Sequence, residues 1–423
     1  LNMIKNPKIA IIGAGPSGIT ALKNLISSGF NVTCFEMNDQ IGGNWVYKDK
    51  TGHSSIFKTT HIISSKKFSE YTDFPMPDDF PDYPSGAELL SYFNNYVKKF
   101  DLKKHIKFET KIEKAIPIND KWKLFFENIT EDFDYLIIAN GHHWSPRIPS
   151  FEGSFEGELM HSHQFKNNEY FKDKSVLVVG GGNSACDIAV EISRVAKKTS
   201  ISMRRGYHFI PKFIMGMPSD IFYAKTLWIP QRIRLFLQKL VLRFVQGKYE
   251  DYGLQKPDHD ILQSHATVNS ELLYFIKHGK ITPKTNIKSF NSSSVSFNDK
   301  SKDDYDIVLF ATGYKISFPF FSDNHIDYEH KDIDLYNFCF HPKFKNLMFV
   351  GLLQPLGCIW PLSDLQSQQI VKYLKKEWSL PKDFDKAVLN QQNNMPFDFI
   401  DTPRHKLEVD FHDFRKHLLS EIN

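Results

Sequence analysis

Two short glycine-bearing segments fix most of what this chain can fold into. In "KIAIIGAGPSGITALKNLISSGFNVTCFE" an apolar run, Lys8–Ile12, leads into Gly13, Gly15 and Gly18, spaced GxGxxG. An amphipathic stretch follows, then a second apolar run that ends at Glu36. The order reads as strand, glycine turn, helix, strand. In such a unit the first glycine permits a tight turn and the second lets a pyrophosphate approach the backbone. The third lets helix and strand pack closely, and the helix N-terminus faces the phosphates. An acid closing the second strand accepts hydrogen bonds from ribose hydroxyls. The glycines alone would also fit a structural turn; strand, helix and terminal acid together point to a dinucleotide.

The same design returns in "SVLVVGGGNSACDIAVEISRVA", where Gly180, Gly182 and Ala185 form GxGxxA between an apolar strand and an amphipathic helix. Here the next strand, "TSISM", runs into Arg204 and Arg205 instead of an acid. Two solvated arginines at a strand end are one reading. Guanidinium groups there also suit a 2′-phosphate, which favours NADPH over NADH. Two cradles on one chain imply a resident redox cofactor and a diffusible nicotinamide, the arithmetic of a flavoprotein carrying FAD and using NADPH. The expected fold class is α/β, with two Rossmann-like dinucleotide-binding domains and a helical insertion in the second.

Further buried-strand runs end at glycines: "YLIIANGHH" at Gly141 and "YDIVLFATGY" at Gly313. A last one, "LMFVGLL", precedes "QPLGCIWPLSDLQSQ", where Pro361 can open a helix aimed at an electron-rich ring. The chain is therefore expected to leave its first domain, build the second and return. The expected divisions are residues 1–165 for FAD, 166–310 for NADPH with the insertion at about 210–265, and 311–423 for the return and C-terminal helices.

Composition agrees. A chain of 423 residues exceeds one ordinary core, and 41% hydrophobic with 24% charged residues describes a globular protein. A net charge of +4 gives no case for nucleic-acid binding. No apolar run approaches the roughly 20 residues of a membrane span, and the first motif, at Gly13, leaves no room for a signal peptide. Cys34, Cys186, Cys339 and Cys358 are scattered without metal-ligand spacing, as reduced core cysteines of a cytoplasmic protein would be.

Phe155, Gly157, His161 and Phe165 form the pattern FxGxxxHxxx followed by an aromatic residue, just upstream of the second cradle. In this the chain resembles the flavin-containing monooxygenases, whose fingerprint has that form. "IGGNWVY" after Glu36, "QSHATVNSEL" near 267 and "FATGY" near 312 also look like family segments. The resemblance implies that NADPH reduces FAD and that O2 then gives a C4a-hydroperoxide, guarded by bound NADP⁺. A soft nucleophile, amine or sulfide, takes the distal oxygen. Matched residue by residue, Gly13, Gly15, Gly18, Glu36, Gly43 and Trp45 would hold FAD, although Trp45 equally suits ordinary core. Gly180, Gly182, Asn183, Ser184, Arg204 and Arg205 would hold NADPH, with Thr312 and Gly313 near the cofactor interface. No side-chain nucleophile or base is required.

The fingerprint stretch "FEGELMHSHQF" contains His161 and His163 but no cysteine or acidic ligand set, which argues against a metal. The resemblance makes it a joint between the two domains, with His161 an orienting hydrogen-bonder. One departure stands out. "SIFKTTHIISSK" matches a family segment that usually carries asparagine beside the flavin, and Ile63 occupies that position. Isoleucine cannot hydrogen-bond, so His61, Ser64 or water would take over.

After Pro230, "QRIRLFLQKLVLRFVQGK" reads as a helix with Arg232, Lys239 and Arg243 on one face. Such an insertion more often roofs a substrate channel or packs at a homodimer interface than lies on a membrane. The nearest alternative function is Baeyer–Villiger oxygenation of ketones, whose similar fingerprint generally ends in Trp; here Phe165 and Lys166 stand. A disulfide reductase would need a cysteine pair that the spacing does not supply. A non-catalytic nucleotide-sensing interaction protein is the alternative from another class.

Overall fold

A strand buried on both faces must be apolar along its whole length, which is the property of parallel sheets covered by helices on either side. Lys8–Ile12 and Ser175–Val179 are such runs, and each forms the middle strand of a five-stranded parallel sheet. The computed structural model describes residues 6–261, 263–265, 267–322, 326–393 and 406–423. In chain order the elements that position the site begin with β1 (Lys8–Ile12), α1 (Pro16–Ser27), β2 (Asn31–Phe35), β3 (Ile106–Lys107) and β4 (Tyr135–Ile138). Next come β5 (Glu158–His161), β6 (Ser175–Val179), α2 (Asn183–Ser193), β7 (Lys198–Ser202) and α3 (Gln231–Gln246). The last are β8 (Thr282–Lys284), β9 (Ile307–Phe310), β10 (Leu347–Phe349) and α4 (Ile359–Leu374).

Two units share these elements. The first takes the chain to Val46, then Lys66–Ser145 and the run from Lys315, with sheet order β10-β4-β1-β2-β3. The second takes Tyr47–Ser65 and Pro146–Tyr314, with order β8-β7-β6-β9-β5. The sheets repeat one plan. In each, the glycine-bearing strand pairs on one side with the strand that follows it, and on the other with a strand more than a hundred residues later. Tyr47–Ser65 lies in the second unit, and the crossings fall at 145/146 and 314/315 instead of 165/166 and 310/311. The fingerprint thus sits wholly in the second unit. Ala266, within the segment "QSHATVNSEL", and part of the C-terminal run lie outside the described residues.

Cores follow the pattern of the strands. In the first unit Phe35, Trp122, Phe133, Leu136 and Phe349 pack together; in the second, Val176, Val178, Ile188, Ile201 and Leu309 do. The four cysteines are buried and none forms a disulfide.

One seam is not apolar. The α4 helix begins at Ile359 and is buried nearly all round, and its Ser363, Asp364, Gln366, Ser367 and Gln369 are fully buried against α1 and its surroundings. The Asp364 carboxylate accepts from Thr20 Oγ1 at 2.8 Å, Asn24 Nδ2 at 2.7 Å and Thr72 N at 3.1 Å, and from the Thr72 hydroxyl. Such a group is tolerated inside a protein only when its acceptor sites are filled. The network pins α1, and so the glycine turn from which α1 starts.

Replacing Asp364 with leucine strands the buried donors of Thr20 and Asn24, each costing about 1–3 kcal/mol when unsatisfied. Its urea unfolding midpoint should fall by the equivalent of about 2 kcal/mol or more. An unchanged midpoint would show that the seam is not a support.

Candidate functional site: two glycine cradles and the fingerprint joint

At the end of β1 the chain turns through Gly13, whose φ is +103°. A Cβ there would lie 2.5 Å from the Ala139 carbonyl oxygen, just beyond β4. At Gly18 a Cβ would meet the Gly13 carbonyl oxygen at 1.9 Å. Both glycines are demanded by the fold itself. Gly15 is different: its φ is −71°, and a Cβ would find nothing nearer than the Gly43 Cα at 3.7 Å. The protein does not explain this glycine.

The second cradle repeats the geometry. Gly180 has φ +141°, and its Cβ would again sit 2.5 Å from a carbonyl oxygen, that of Ala311 beyond β9. Gly182 precedes α2 as Gly15 precedes α1. No side chain caps either helix, and neither first turn holds an acid, so the positive helix ends face outward unneutralised by their own residues. That donor set fits an anionic pyrophosphate.

Around the first cradle, Glu36 is buried and already engaged. Oε2 accepts the Ala14 N–H at 2.8 Å, and Oε1 accepts from Asn38 N at 2.9 Å and Asn38 Nδ2 at 2.8 Å. It shapes the turn and retains capacity for about one further hydrogen bond. Gly42 closes onto the turn with its N–H 3.1 Å from the Ala14 carbonyl, which sets Gly43 against Gly15. Trp45 is half-buried and stands edge-on to Trp360, ring centres 5.4 Å apart, so its ring does packing work. Sequence reasoning passed over His142: its Nδ1 is buried without a hydrogen-bond partner, beside Gly141 and the Gly351 turn. Only the doubled histidine of "NGHH" hinted at it.

In the second unit Arg204 and Arg205 come after β7 as expected, but they differ. Arg204 is exposed and lines a cleft of about 300 Å³ with Gln255, Thr285, Asn286, Asn298 and Asp299. Arg205 lies over the Tyr207 ring, and its Nε–H is buried with no partner. An orphaned guanidinium donor beside a cradle fits a phosphate ligand. Tyr207, which the sequence did not single out, covers Gly181, where a Cβ would strike its ring at 2.1 Å. Asn183 accepts from the Val268 N–H at 2.7 Å and Thr267 Oγ1 donates to the Gly181 carbonyl at 3.0 Å. Ser184 is exposed at the helix start.

The fingerprint is a structural knot within the second unit. Phe155 packs on Phe290, Phe165 on Phe57 and Phe171, and a Cβ on Gly157 would collide with the Asp306 carbonyl at 2.6 Å. His161 Nδ1 accepts the His163 N–H at 3.1 Å, which leaves Nε2 to donate to the Gly313 carbonyl at 3.1 Å. Gly313 in turn accepts from Arg147 N, and the Thr312 hydroxyl donates to the Arg147 carbonyl. His163 holds Gly52 and Ser55, while Lys166 Nζ donates to the carbonyls of Ser54 and Ile56. Three side chains thereby fasten Gly52–Ile56 and the Thr312–Gly313 turn to one strand end. Burial lowers the His161 pKa to about 4 and the Lys166 pKa to about 8. With both ring nitrogens engaged and a low basicity, His161 is no acid or base near neutrality. Of the remaining expected residues, His61 is exposed and bonded to the Thr59 carbonyl, Ile63 is half-buried, and Ser64 is buried.

Comparisons with known proteins agree in kind. The family described as Flavin-binding monooxygenase-like matches the chain over residues 6–423. Flavin-containing monooxygenase 5 of Rattus norvegicus is 35% identical over 441 residues, covering 96% of this chain and 81% of that protein. Dimethylaniline monooxygenase (N-oxide-forming) 2 of Oryctolagus cuniculus is 33% identical over 443 residues, covering 98% and 82%. Among solved structures, S-allyl-L-cysteine S-oxygenase from Allium sativum superposes with a TM-score of 0.73 at 23% identity, covering 99% of this chain and 88% of that one.

The His161 assignment carries a pH signature. Its folded pKa, about 4, lies below the ordinary value of about 6.5. Between those values the unfolded chain binds a proton that the folded chain refuses, so stability falls as pH falls through that window. His161→Gln should flatten this part of the stability–pH curve, by about 3 kcal/mol at most. A parallel curve would mean that the imidazole is protonated in place.

Proposed function

The chain belongs to the flavin-binding monooxygenase-like family, and from that membership and its paired cradles we infer an FAD-containing, NADPH-dependent monooxygenase that oxygenates nitrogen or sulfur in small amines and sulfides. The observation that carries the reading is the repeated strand–glycine–helix turn, once with an acid and once with two arginines after the second strand. When bound, FAD supplies the redox chemistry between NADPH and O2 and passes one oxygen atom to the substrate. The chain's own residues bind and orient.

In this reading Gly13, Gly15, Gly18, Glu36 and Gly43 receive FAD, with Trp45 as packing behind them. The start of α1 meets the pyrophosphate, and the remaining acceptor capacity of Glu36 meets a ribose hydroxyl. Gly180, Gly182, Asn183 and Ser184 receive NADPH, and Arg204 and Arg205 take its 2′-phosphate. The orphaned Nε–H of Arg205 supports that assignment most. Thr312 and Gly313 set the edge of the second cradle through their bonds to Arg147 and His161. No side chain needs to attack the substrate or remove a proton from it, in keeping with the fully engaged ring of His161. His61, Ile63 and Ser64 remain the flavin-adjacent candidates by family match, and Ile63 offers no hydrogen bond there. Four buried cysteines without a disulfide support a cytoplasmic setting.

The test is turnover with defined products. With NADPH and O2 the protein should convert a tertiary amine to its N-oxide and a sulfide to its S-oxide, faster than it converts a cyclic ketone to a lactone. A charge-assisted contact of about 1.5–3 kcal/mol implies a preference for NADPH over NADH of one to two orders of magnitude. Arg204→Ala with Arg205→Ala should abolish that preference chiefly through the KM for NADPH. Equal efficiency with both nicotinamides in the unaltered enzyme would reject the assignment, and lactone as the main product would shift the activity to ketones.

A further inference from the structure

Within the second unit, the two arginines stand on an arm that has already left the sheet. β7 ends at Ser202, and the last sheet bond is from Met203 N to the Lys284 carbonyl at 3.1 Å. Arg204 and Arg205 follow, and the chain next joins a strand at Phe209–Ile210, which pairs in parallel with the short strand Thr267–Val268. The sheet alone therefore does not fix how far the guanidinium groups lie from the start of α2.

Three hydrogen bonds tie the partner strand to the cradle. Thr267 Oγ1 donates to the Gly181 carbonyl at 3.0 Å, Val268 N to Asn183 Oδ1 at 2.7 Å, and Asn269 Nδ2 to Asp187 Oδ1 on α2 at 2.6 Å. Asn269 is fastened to the arm as well, its N–H donating to the Ile210 carbonyl at 3.0 Å. Its Oδ1 accepts from Glu271 N at 2.9 Å and Leu272 N at 2.7 Å. Asn269 is buried, and both polar atoms of its side chain are engaged by the chain itself. The arm also returns to the glycine that Thr267 holds. The Tyr207 ring covers Gly181, and Arg205 Cζ lies over that ring, 5.7 Å from its centre. Elsewhere along the arm Gln255 Nε2 donates to the Met203 carbonyl at 3.0 Å, and Gly206 lies close against the Lys256–Pro257 backbone.

A pyrophosphate and a 2′-phosphate belong to one cofactor and are separated by a fixed span. A site that reads both must hold its two donor sets in register, to within about 0.5 Å. Here the span is set by hydrogen bonds between Thr267–Asn269, the arm and α2. We propose that Thr267–Asn269 is a clasp that holds the arginine arm in register with the second cradle, making Asn269 and Asp187 positioning residues for recognition of the 2′-phosphate. This rests on the reading of the second cradle as the NADPH site. Neither residue touches the cofactor. Loosening the clasp leaves the pyrophosphate donors at the start of α2 in place but lets the guanidinium groups drift, so the 2′-phosphate contact is lost and the remainder is kept.

The test reads binding, not turnover: calorimetric titration of the flavin-loaded full chain with NADP⁺ and with NAD⁺. Asn269→Ala should lower the ratio of NADP⁺ to NAD⁺ affinity by roughly tenfold, as the loss of one or two buried hydrogen bonds would. NAD⁺ binding, flavin content and the far-UV spectrum should stay as they are. Asp187→Leu should act likewise, whereas Asp187→Asn, whose amide oxygen still accepts from Asn269, should keep most of the ratio. Thr267→Val, a smaller change, carries the same test if Asn269→Ala does not fold. A double-mutant cycle separates positioning from plain stability: in a chain already carrying Arg204→Ala and Arg205→Ala, Asn269→Ala should leave the ratio where it stands. Equal loss of NADP⁺ and NAD⁺ affinity, or a change in the ratio that persists without the arginines, would overturn the clasp while leaving the NADPH site standing. If removing the arginines does not itself alter the ratio, the 2′-phosphate assignment fails and the clasp with it.

Discussion

Everything in both units hangs on one contact, the approach of a glycine Cα to the carbonyl oxygen at the end of the neighbouring strand. A side chain at Gly13 or Gly180 would stand 2.5 Å from that oxygen, of Ala139 or Ala311 respectively. The contact lets three parallel strand ends meet with the helix start above them, so that backbone, not side chain, forms the floor of each cradle. Gly13 N donates to Phe35 O at 2.8 Å, and Gly180 N to Ser202 O at 2.9 Å. The residues just beyond those strands are Glu36 in one unit and Arg204 and Arg205 in the other. In the function proposed above, the charge carried there sets cofactor choice.

A protein whose cofactors carry the chemistry needs rigid placement more than reactive side chains. The polar seam around Asp364 and the knot around His161 answer that need in different ways. Asp364 fixes α1 through hydrogen bonds that a purely apolar interface would lack, because apolar packing tolerates small slides and a filled set of acceptors does not. His161 and His163 spend their ring nitrogens on two backbone carbonyls, a backbone N–H and a serine, and burial lowers the pKa of both. The pair holds backbone in place.

The two sheets and their cradles were legible in the sequence because each step has a local signature: an apolar run, a glycine spacing, a terminal charge. The strands ending at Gly141 and Gly313 were legible for the same reason. What escaped was long-range. The allegiance of Tyr47–Ser65 to the second unit depends on His163 and Lys166 more than a hundred residues away, and no periodicity announces it. Asp364 reads as one polar residue on an ordinary amphipathic helix until Thr20, Asn24 and Thr72 arrive around it. Glu36 was read for its ribose role alone, since its partner Asn38 looks like any turn residue. In α3 the periodicity shows that a stripe exists, and only packing shows that Arg234 faces in while Phe244 faces out.

The central claim is that Gly13 and Gly18 serve the fold whereas Gly15 serves the cofactor. The direct measurement is bound FAD per chain in Gly15→Ala, read with far-UV circular dichroism, beside Gly18→Ala as control. A Cβ at residue 15 has room in the protein, its nearest neighbour being 3.7 Å away, while one at residue 18 would lie 1.9 Å from a carbonyl oxygen. Gly15→Ala should therefore fold as the unaltered chain does yet hold FAD at least about tenfold more weakly, a difference of about 1.4 kcal/mol or more, and Gly18→Ala should fail to fold. A Gly15→Ala protein that retains a full complement of flavin at unaltered affinity would contradict the claim.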